Sequence, residues 1–263
     1  MNPVSGRLIN AHQQGQRLVL VFDYDGTLTP LVAHPDLAHL TAALRNTLAQ
    51  LAALPRVTVG IVSGRGLDNL MGVVGLKQLY YGGTCGLELD LRGERVIAAG
   101  AAQTSDLLAK LLAAVEAALL AYPGAWVEQK PFGFTLHYRQ LAEELIIPLR
   151  AEIAVLLKPH SADLLILEGP LAVEVLPAIA HDKGTALRAI VAHSGSEPAT
   201  VLFAGDAAND GPALAVAAEL GGISLGIGPE PPPEAVYRLA DPAELHDLLA
   251  GLLDRLHSQF ADQ

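Results

Sequence analysis

The chain alternates short apolar runs with stripes of apolar residues at helical spacing. Residues 18–22 (LVLVF) are apolar at every position, so that strand needs cover on both faces. Such a strand belongs inside a parallel sheet clothed on both sides. Leucines at 37, 40, 44, 48 and 51 then mark one face of a helix over 37–54. Residues 57–62 (VTVGIV) predict a second buried strand, 66–74 a short helix and 79–81 a third strand. Residues 87–97 predict a hairpin turning at Arg92-Gly93.

The rhythm changes near Gln103. Residues 105–122 form a strong helix pattern, and 126–130 and 134–139 alternate about Pro131-Phe132-Gly133 as a hairpin. Residues 141–157 read as a helix, and 163–168 and 172–176 flank Gly169-Pro170 as a second hairpin. Helix, two strands, helix, two strands predicts a separate small sheet with helices on one face. From Asp182 the first rhythm returns: helix 183–193, strand 200–204, helix 212–220 and strand 223–227. A proline-rich loop over 228–234 follows, then a helix over 241–260 that starts at an Asp-Pro pair. The expected fold is α/β: a Rossmann-like doubly wound parallel sheet core, residues 1–103 and 179–263, with an inserted α+β cap domain over 104–178. There is no internal repeat and no low-complexity tract.

Charge narrows the partners. With 17 Lys+Arg against 28 Asp+Glu, the formal net charge is −11. That excludes bulk binding to nucleic acid or an anionic membrane, since either needs a basic face. A small anionic substrate in a locally positive pocket remains compatible. The length of 263 residues buries a core without staples. The single cysteine, Cys85, excludes an internal disulfide and a cysteine-based zinc site. The first residues carry no secretory pattern, and the longest apolar stretch, 107–120, contains Lys110 and Glu116. The expected location is the cytoplasm, with no membrane partner.

Four strand-end clusters carry the candidate chemistry. Asp23 and Asp25, in FDYDGTLT, stand two apart at the end of the first buried strand. Residues two apart on extended chain point the same way, and ligands gather at the carboxyl ends of parallel strands. Two adjacent acids repel and need a cation or a shared proton; oxygen ligands near a phosphate favour Mg²⁺. The bland alternative is that both merely shape the turn. Ser63 and Gly64 end the second strand, where a hydroxyl can donate to a phosphate oxygen and a glycine lets the backbone come close. Lys183 opens a helix, where the helix dipole disfavours a cation, a misfit that hints at function. Asp206, in GDAAND, ends another buried strand as a third metal ligand, with Asn209 and Asp210 one turn on to hold waters or Lys183.

In order and spacing these clusters resemble the haloacid dehalogenase superfamily of phosphotransferases. The resemblance implies Asp23 as a nucleophile forming an aspartyl-phosphate and Asp25 as the acid that protonates the leaving oxygen and then activates water. It implies a phosphate-binding set of Asp23, Thr27, Ser63, Gly64 and Lys183. Mg²⁺ would be held by Asp23, the Asp25 backbone carbonyl and Asp206. More narrowly, FDYDGTLTP, IVSGR, VEQKPFGFTLHYR and EGPLAVEVLPAIAHDKG resemble stretches of the trehalose-6-phosphate phosphatases, over about residues 18 to 230. That implies sugar contacts from Arg65, Glu128, Lys130, Arg139 and Glu174. It also implies a small-molecule sugar phosphate as partner and a functional link to a glycosyl-phosphate synthase. Read without the resemblance, Glu128 and Lys130 share one strand face, as do His137 and Arg139: either polar groups facing a cleft that suits a sugar's donors and acceptors or, the preferred reading, an exposed strand face with cross-strand charge pairs.

Two departures from the family stand out. GDAANDGPAL has the general superfamily form, not a Thr-Asp-Glu form, and Tyr81-Gly82-Gly83-Thr84-Cys85-Gly86 replaces an Asn-His-Gly. The second removes two polar side chains near the sugar. It leaves glucosyl- or mannosyl-phosphoglycerate, or sucrose phosphate, as alternative substrates. A phospho-accepting signalling module is the competing class, but it would be roughly half this length and need no insertion. A nucleotide-binding switch would need a Gly-x-x-x-x-Gly-Lys-Ser/Thr loop, which the chain lacks.

Overall fold

The computed structural model describes residues 2–261, apart from 33 and 170. The chain folds as two compact units: residues 1–96 with 181–263, and residues 97–180.

The first unit opens with helix α1 (Pro3–Gln13), then strand β1 (Arg17–Phe22), helix α2 (Ala42–Ala53), β2 (Val57–Val62), α3 (Leu67–Val74) and β3 (Tyr80–Gly83). A hairpin of β4 (Glu88–Leu91) and β5 (Glu94–Ile97) follows. It turns at Arg92-Gly93, where φ is 59° and 101°; positive φ at both central residues suits the twist of a tight hairpin. The second unit holds α4 (Ser105–Leu119), β6 (Trp126–Lys130), β7 (Gly133–His137), α5 (Glu143–Leu157), β8 (Leu164–Gly169) and β9 (Ala172–Pro177). The first unit resumes with α6 (Lys183–His193), β10 (Ala199–Gly205), α7 (Gly211–Glu219), β11 (Ile223–Ile227), β12 (Tyr237–Leu239) and α8 (Pro242–Ala261).

The large sheet runs β12-β11-β10-β1-β2-β3-β4-β5. The six strands from β12 to β3 pair in parallel, and β4 joins β3 antiparallel. Strand β1 is buried at all six positions. Leu18, Leu20 and Phe22 pack into one core with Leu8 of α1, Leu48 of α2 and Leu249 of α8. Val19 and Val21 pack into the other, with Leu187 of α6 and Leu214 of α7. The uniformly apolar strand is therefore covered on both faces, and the core is doubly wound. Strand order reverses at β1, flanked by β10 and β2, which makes its carboxyl end the topological switch point. The second unit has its own antiparallel sheet, β6-β7-β9-β8, with a core of Phe134, Leu136 and Val175 against Leu111 of α4 and Ile153 of α5.

Some elements differ from the sequence reading. The helix expected over 37–54 is split: Pro35–Leu37 forms a 3-10 turn, and α2 starts at Ala42, where the Thr41 hydroxyl accepts from Leu44 N–H at 3.1 Å. Leu37 is exposed, so it does not belong to the buried stripe. Helix α1 was not anticipated. Its signal is Asn2-Pro3, with Asn2 Oδ1 accepting from Val4 N–H at 2.9 Å, followed by buried Val4, Leu8 and Ile9. The short strand β12 was missed as well. Pro170, half of the turn expected at 169–170, lies outside the described residues. Among the described residues, no helix is long and apolar enough to cross a membrane.

Candidate active site

Asp23, Ser63 and Asp206 each follow the last residue of a parallel strand, β1, β2 and β10 respectively. These strands are adjacent, so the fold brings together three residues that the sequence keeps far apart. Asp23 is buried and ties its backbone to the sheet, donating its N–H to Ala204 O at 2.9 Å. Ser63 is also buried; its N–H donates to Gly82 O at 2.8 Å, and its Oγ accepts from Arg65 N–H at 3.2 Å.

Lys183 occupies the first turn of α6. Asp182 caps the helix, its Oδ1 accepting from Thr185 N–H at 2.8 Å while Thr185 Oγ1 accepts from Asp182 N–H at 3.0 Å. The lysine is 1% exposed, and its Nζ donates to Asp23 Oδ1 and Asp210 Oδ1, each at 2.7 Å. Two carboxylates therefore offset the unfavourable helix dipole. Asp210 is fully buried and also accepts from the N–H groups of Asp206 and Ala207, at 3.0 and 2.9 Å. It locks the loop after β10 to the lysine.

Asp23, Asp206 and Asp210 each present a carboxylate oxygen within 4.8 Å of the others. Three acids crowd one ammonium, and the proton affinities follow. Burial pushes the Asp23 carboxyl well above the usual range; Lys183 counters this, and the Asp210 and Asp206 charges add to it. Burial, then the Asp210 charge, push Asp206 up to about 6, against a hydrogen bond from the Thr27 hydroxyl at 3.0 Å. Burial works to lower the Lys183 value, but Asp210 and Asp23 outweigh it and hold the group firmly as an ammonium.

Asp25 takes a different place. Its carboxylate is gripped by Arg65, with Nε to Oδ2 and one terminal nitrogen to Oδ1, both at 2.7 Å. Its side chain is not part of the acidic trio, and the expected metal contact there concerns its backbone carbonyl. Arg65, expected to meet a sugar, is 4% exposed and turned towards Asp25. Thr27 spends its hydroxyl on Asp206. Asn209 donates Nδ2 to Cys85 Sγ at 3.8 Å, and its buried Oδ1 has no hydrogen-bond partner among the described residues. The loop carrying Cys85 holds Thr84 and Cys85 at φ 49° and 55°, with the Thr84 hydroxyl donating to Glu88 at 2.7 Å. Glu88 went unnoticed in the sequence because it reads as an ordinary polar position of a strand.

In the second unit, Lys130 Nζ donates to Glu174 Oε1 at 2.5 Å, and Glu128 Oε2 lies 3.1 Å from His137 Nε2. Thr135 pairs across to Glu128 on one side and Glu174 on the other, so all three share a sheet face. Its buried hydroxyl lacks a hydrogen-bond partner among the described residues, and it was not singled out from the sequence. Arg139 is exposed, two residues beyond β7.

A doubly wound sheet with an acid at its switch point, a serine on the next strand and a lysine bound to that acid has the layout of the haloacid dehalogenase-like fold. Solved structures share this fold. The C-terminal domain of C. albicans trehalose-6-phosphate phosphatase superposes with a TM-score of 0.83, at 24% identity over 97% of each chain. A haloacid dehalogenase-like hydrolase from Bacteroides thetaiotaomicron gives 0.62 at 15% identity, over 90% of this chain and all of that one. The sequence model of the Trehalose-phosphatase family matches residues 21–230. Trehalose-phosphate phosphatase B of Arabidopsis thaliana is 28% identical, over 94% of this chain and 69% of its own. The trehalose-phosphate phosphatase of Mycobacterium bovis is 33% identical, over 72% of this chain and 48% of its own. The chain belongs to the trehalose-phosphatase family and is a phosphoric monoester hydrolase.

Proposed function

We propose that this chain hydrolyses trehalose 6-phosphate to trehalose and phosphate, with Asp23 as nucleophile and Mg²⁺ as cofactor. The observation that carries the reading is the buried Asp23 carboxylate at the switch point, held by Lys183 beside Asp206. Asp23 attacks phosphorus, the bond from phosphorus to the sugar oxygen breaks, and that oxygen takes a proton from Asp25. Water then attacks the aspartyl-phosphate, giving its proton to Asp25, and phosphate leaves with Asp23 restored. Lys183 and Ser63 would bind the phosphoryl oxygens in both steps.

The donor set fits Mg²⁺. It is all oxygen and compact: three carboxylates, from Asp23, Asp206 and Asp210, present oxygens within 4.8 Å of one another around a single ammonium. Asp23 and Asp206, with the Asp25 backbone carbonyl, would hold the ion, and Asp210 would stay with Lys183. Bound there, Mg²⁺ supplies positive charge against the transferred phosphoryl group.

Trehalose as the sugar rests on the family and on the names of its phosphatase relatives. Glu128, Lys130, Arg139 and Glu174 would read its hydroxyls, polar groups suited to a sugar's donors and acceptors. A synthase making the phosphorylated disaccharide would supply the substrate. The test is phosphate release from a panel holding trehalose 6-phosphate, sucrose phosphate, glucosyl-3-phosphoglycerate and mannosyl-3-phosphoglycerate, with Mg²⁺ and with EDTA. Trehalose 6-phosphate should have the highest kcat/KM and EDTA should stop turnover. A higher kcat/KM for another sugar phosphate would reassign the substrate.

A further inference from the structure

Arg65 is the side chain whose surroundings fit its expected role least. A guanidinium that reads a sugar needs donors facing the ligand. Here at least four N–H groups already donate within the first unit: two to the Asp25 carboxylate, one to Asn69 Oδ1 at 3.1 Å and one to Pro35 O at 2.7 Å. The guanidinium carbon also lies 5.1 Å from the centre of the Tyr24 ring. The backbone is pinned too, with Arg65 N–H on Ser63 Oγ and Arg65 O accepting from Thr84 N–H at 2.7 Å. Only 4% of the side chain is exposed. Asp25 is a third exposed.

We propose that Arg65 is a positioning residue for Asp25: its two-pronged grip sets the direction of the carboxylate that takes the proton from water, and it does not contact the sugar. The inference rests on the reading of Asp25 as the proton carrier. Paired N–H donors fix both oxygens of a carboxylate and so remove its rotation, which a single ammonium cannot do. Arg65 is itself fixed from β2, α3 and the Pro35 turn, so the acid inherits the rigidity of the sheet. The two-pronged contact fixes where the carboxylate points towards the attacking water. With a leaving group that needs no proton, the second step should therefore depend on Arg65 more than the first.

The experiment uses Arg65→Gln and Arg65→Lys with two substrates. With 4-nitrophenyl phosphate, whose leaving group needs little protonation, rapid mixing should show nitrophenolate released in the first turnover within about threefold of wild type. The steady rate should then drop about 10- to 100-fold, the usual effect of misplacing a proton-transfer group. Acid quenching should trap more aspartyl-phosphate than in wild type. With trehalose 6-phosphate, KM should stay within about threefold while kcat falls. Lysine should not rescue, because it keeps the charge and loses the fork.

A tenfold rise in KM with kcat preserved would overturn the proposal and make Arg65 a substrate contact. Equal losses in first turnover and steady rate would make it merely structural. Asp25→Asn separates the two readings. Wild-type steady rates in Asp25→Asn sink the role of Asp25 itself, while a defective Asp25→Asn beside normal Arg65 variants sinks the positioning role alone. Combined with Asp25→Asn, Arg65→Gln should add less than about threefold, since both act through one group.

Discussion

A methyl group on Gly26 would lie 2.2 Å from Asp206 Oδ2. Gly26 also has φ of +88°, a conformation that L side chains rarely adopt. The glycine of the first motif therefore makes room for the acid of the fourth. Gly26→Ala should displace Asp206 and lower kcat/KM about a hundredfold, the scale of a one-ångström error in a site. Steady-state kinetics check it, and circular dichroism should show an unchanged fold.

Asp23→Asn should reduce phosphate release at least about a thousandfold while the protein stays folded, because amide and carboxylate are nearly isosteric. The measurement is phosphate release at saturating substrate. Activity near wild type would remove Asp23 as nucleophile.

Lys183→Met should destabilise the protein by about 3–5 kcal/mol, because it strands Asp23 and Asp210 as buried charges with no counter-ion. Adding Asp210→Asn should restore part of that loss, although activity stays absent. Urea unfolding of both variants measures this.

The proton affinity of Asp206 predicts a pH window. Its value in the folded protein is about 6 against 3.8 for the ordinary group. A raised value favours the folded state at low pH, and the contribution is lost as pH rises from about 4 through about 6. Without metal, this group should cost the protein up to about 3 kcal/mol between those limits, from a shift of about two units. Asp206→Asn should abolish that part of the pH dependence. Mg²⁺ should raise the unfolding temperature more at pH 7 than at pH 4.5, and the gain should be lost in Asp206→Asn. Thermal scans in EDTA and in Mg²⁺ at both pH values test each statement.

Lys130→Ala and Glu174→Ala should damage turnover of trehalose 6-phosphate far more than that of an aryl phosphate, by a few kcal/mol in kcat/KM, because a sugar hydroxyl loses its partner. Each leaves its ion-pair partner behind, so the double variant should show non-additivity. Equal losses with both substrates would make the pair structural.

Some of this protein is written locally. Strands β2 and β11 and helix α6 begin and end where periodicity and capping residues place them, at 57–62, 223–227 and 183–193. Chain-neighbour physics suffices there: an all-apolar run must be covered on both faces, and Asp182 with Thr185 closes a capping box within four residues. Helix 37–54 was misread because Leu37 and Leu40 keep the right spacing, but spacing cannot tell that the helix itself starts only after Thr41. The placement of Asp23, Ser63 and Asp206 at strand ends was legible too.

Partnership was legible only in part: the sequence offered Asp210 as a holder of Lys183, which the fold shows, but not the other pairings. Lys183 reaches Asp23 across 160 residues, Arg65 reaches Asp25 across 40, and Asn209 reaches Cys85 across 124. The family resemblance implied a sugar contact for Arg65; in the folded chain its guanidinium grips Asp25. Strand order decides such contacts: β1 lies between β10 and β2, so the loops that meet are those of spatial neighbours. Periodicity records which face of an element is buried, and motifs record which groups end it. The direction in which those groups finally point depends on side chains delivered by other strands, and only the assembled sheet supplies them.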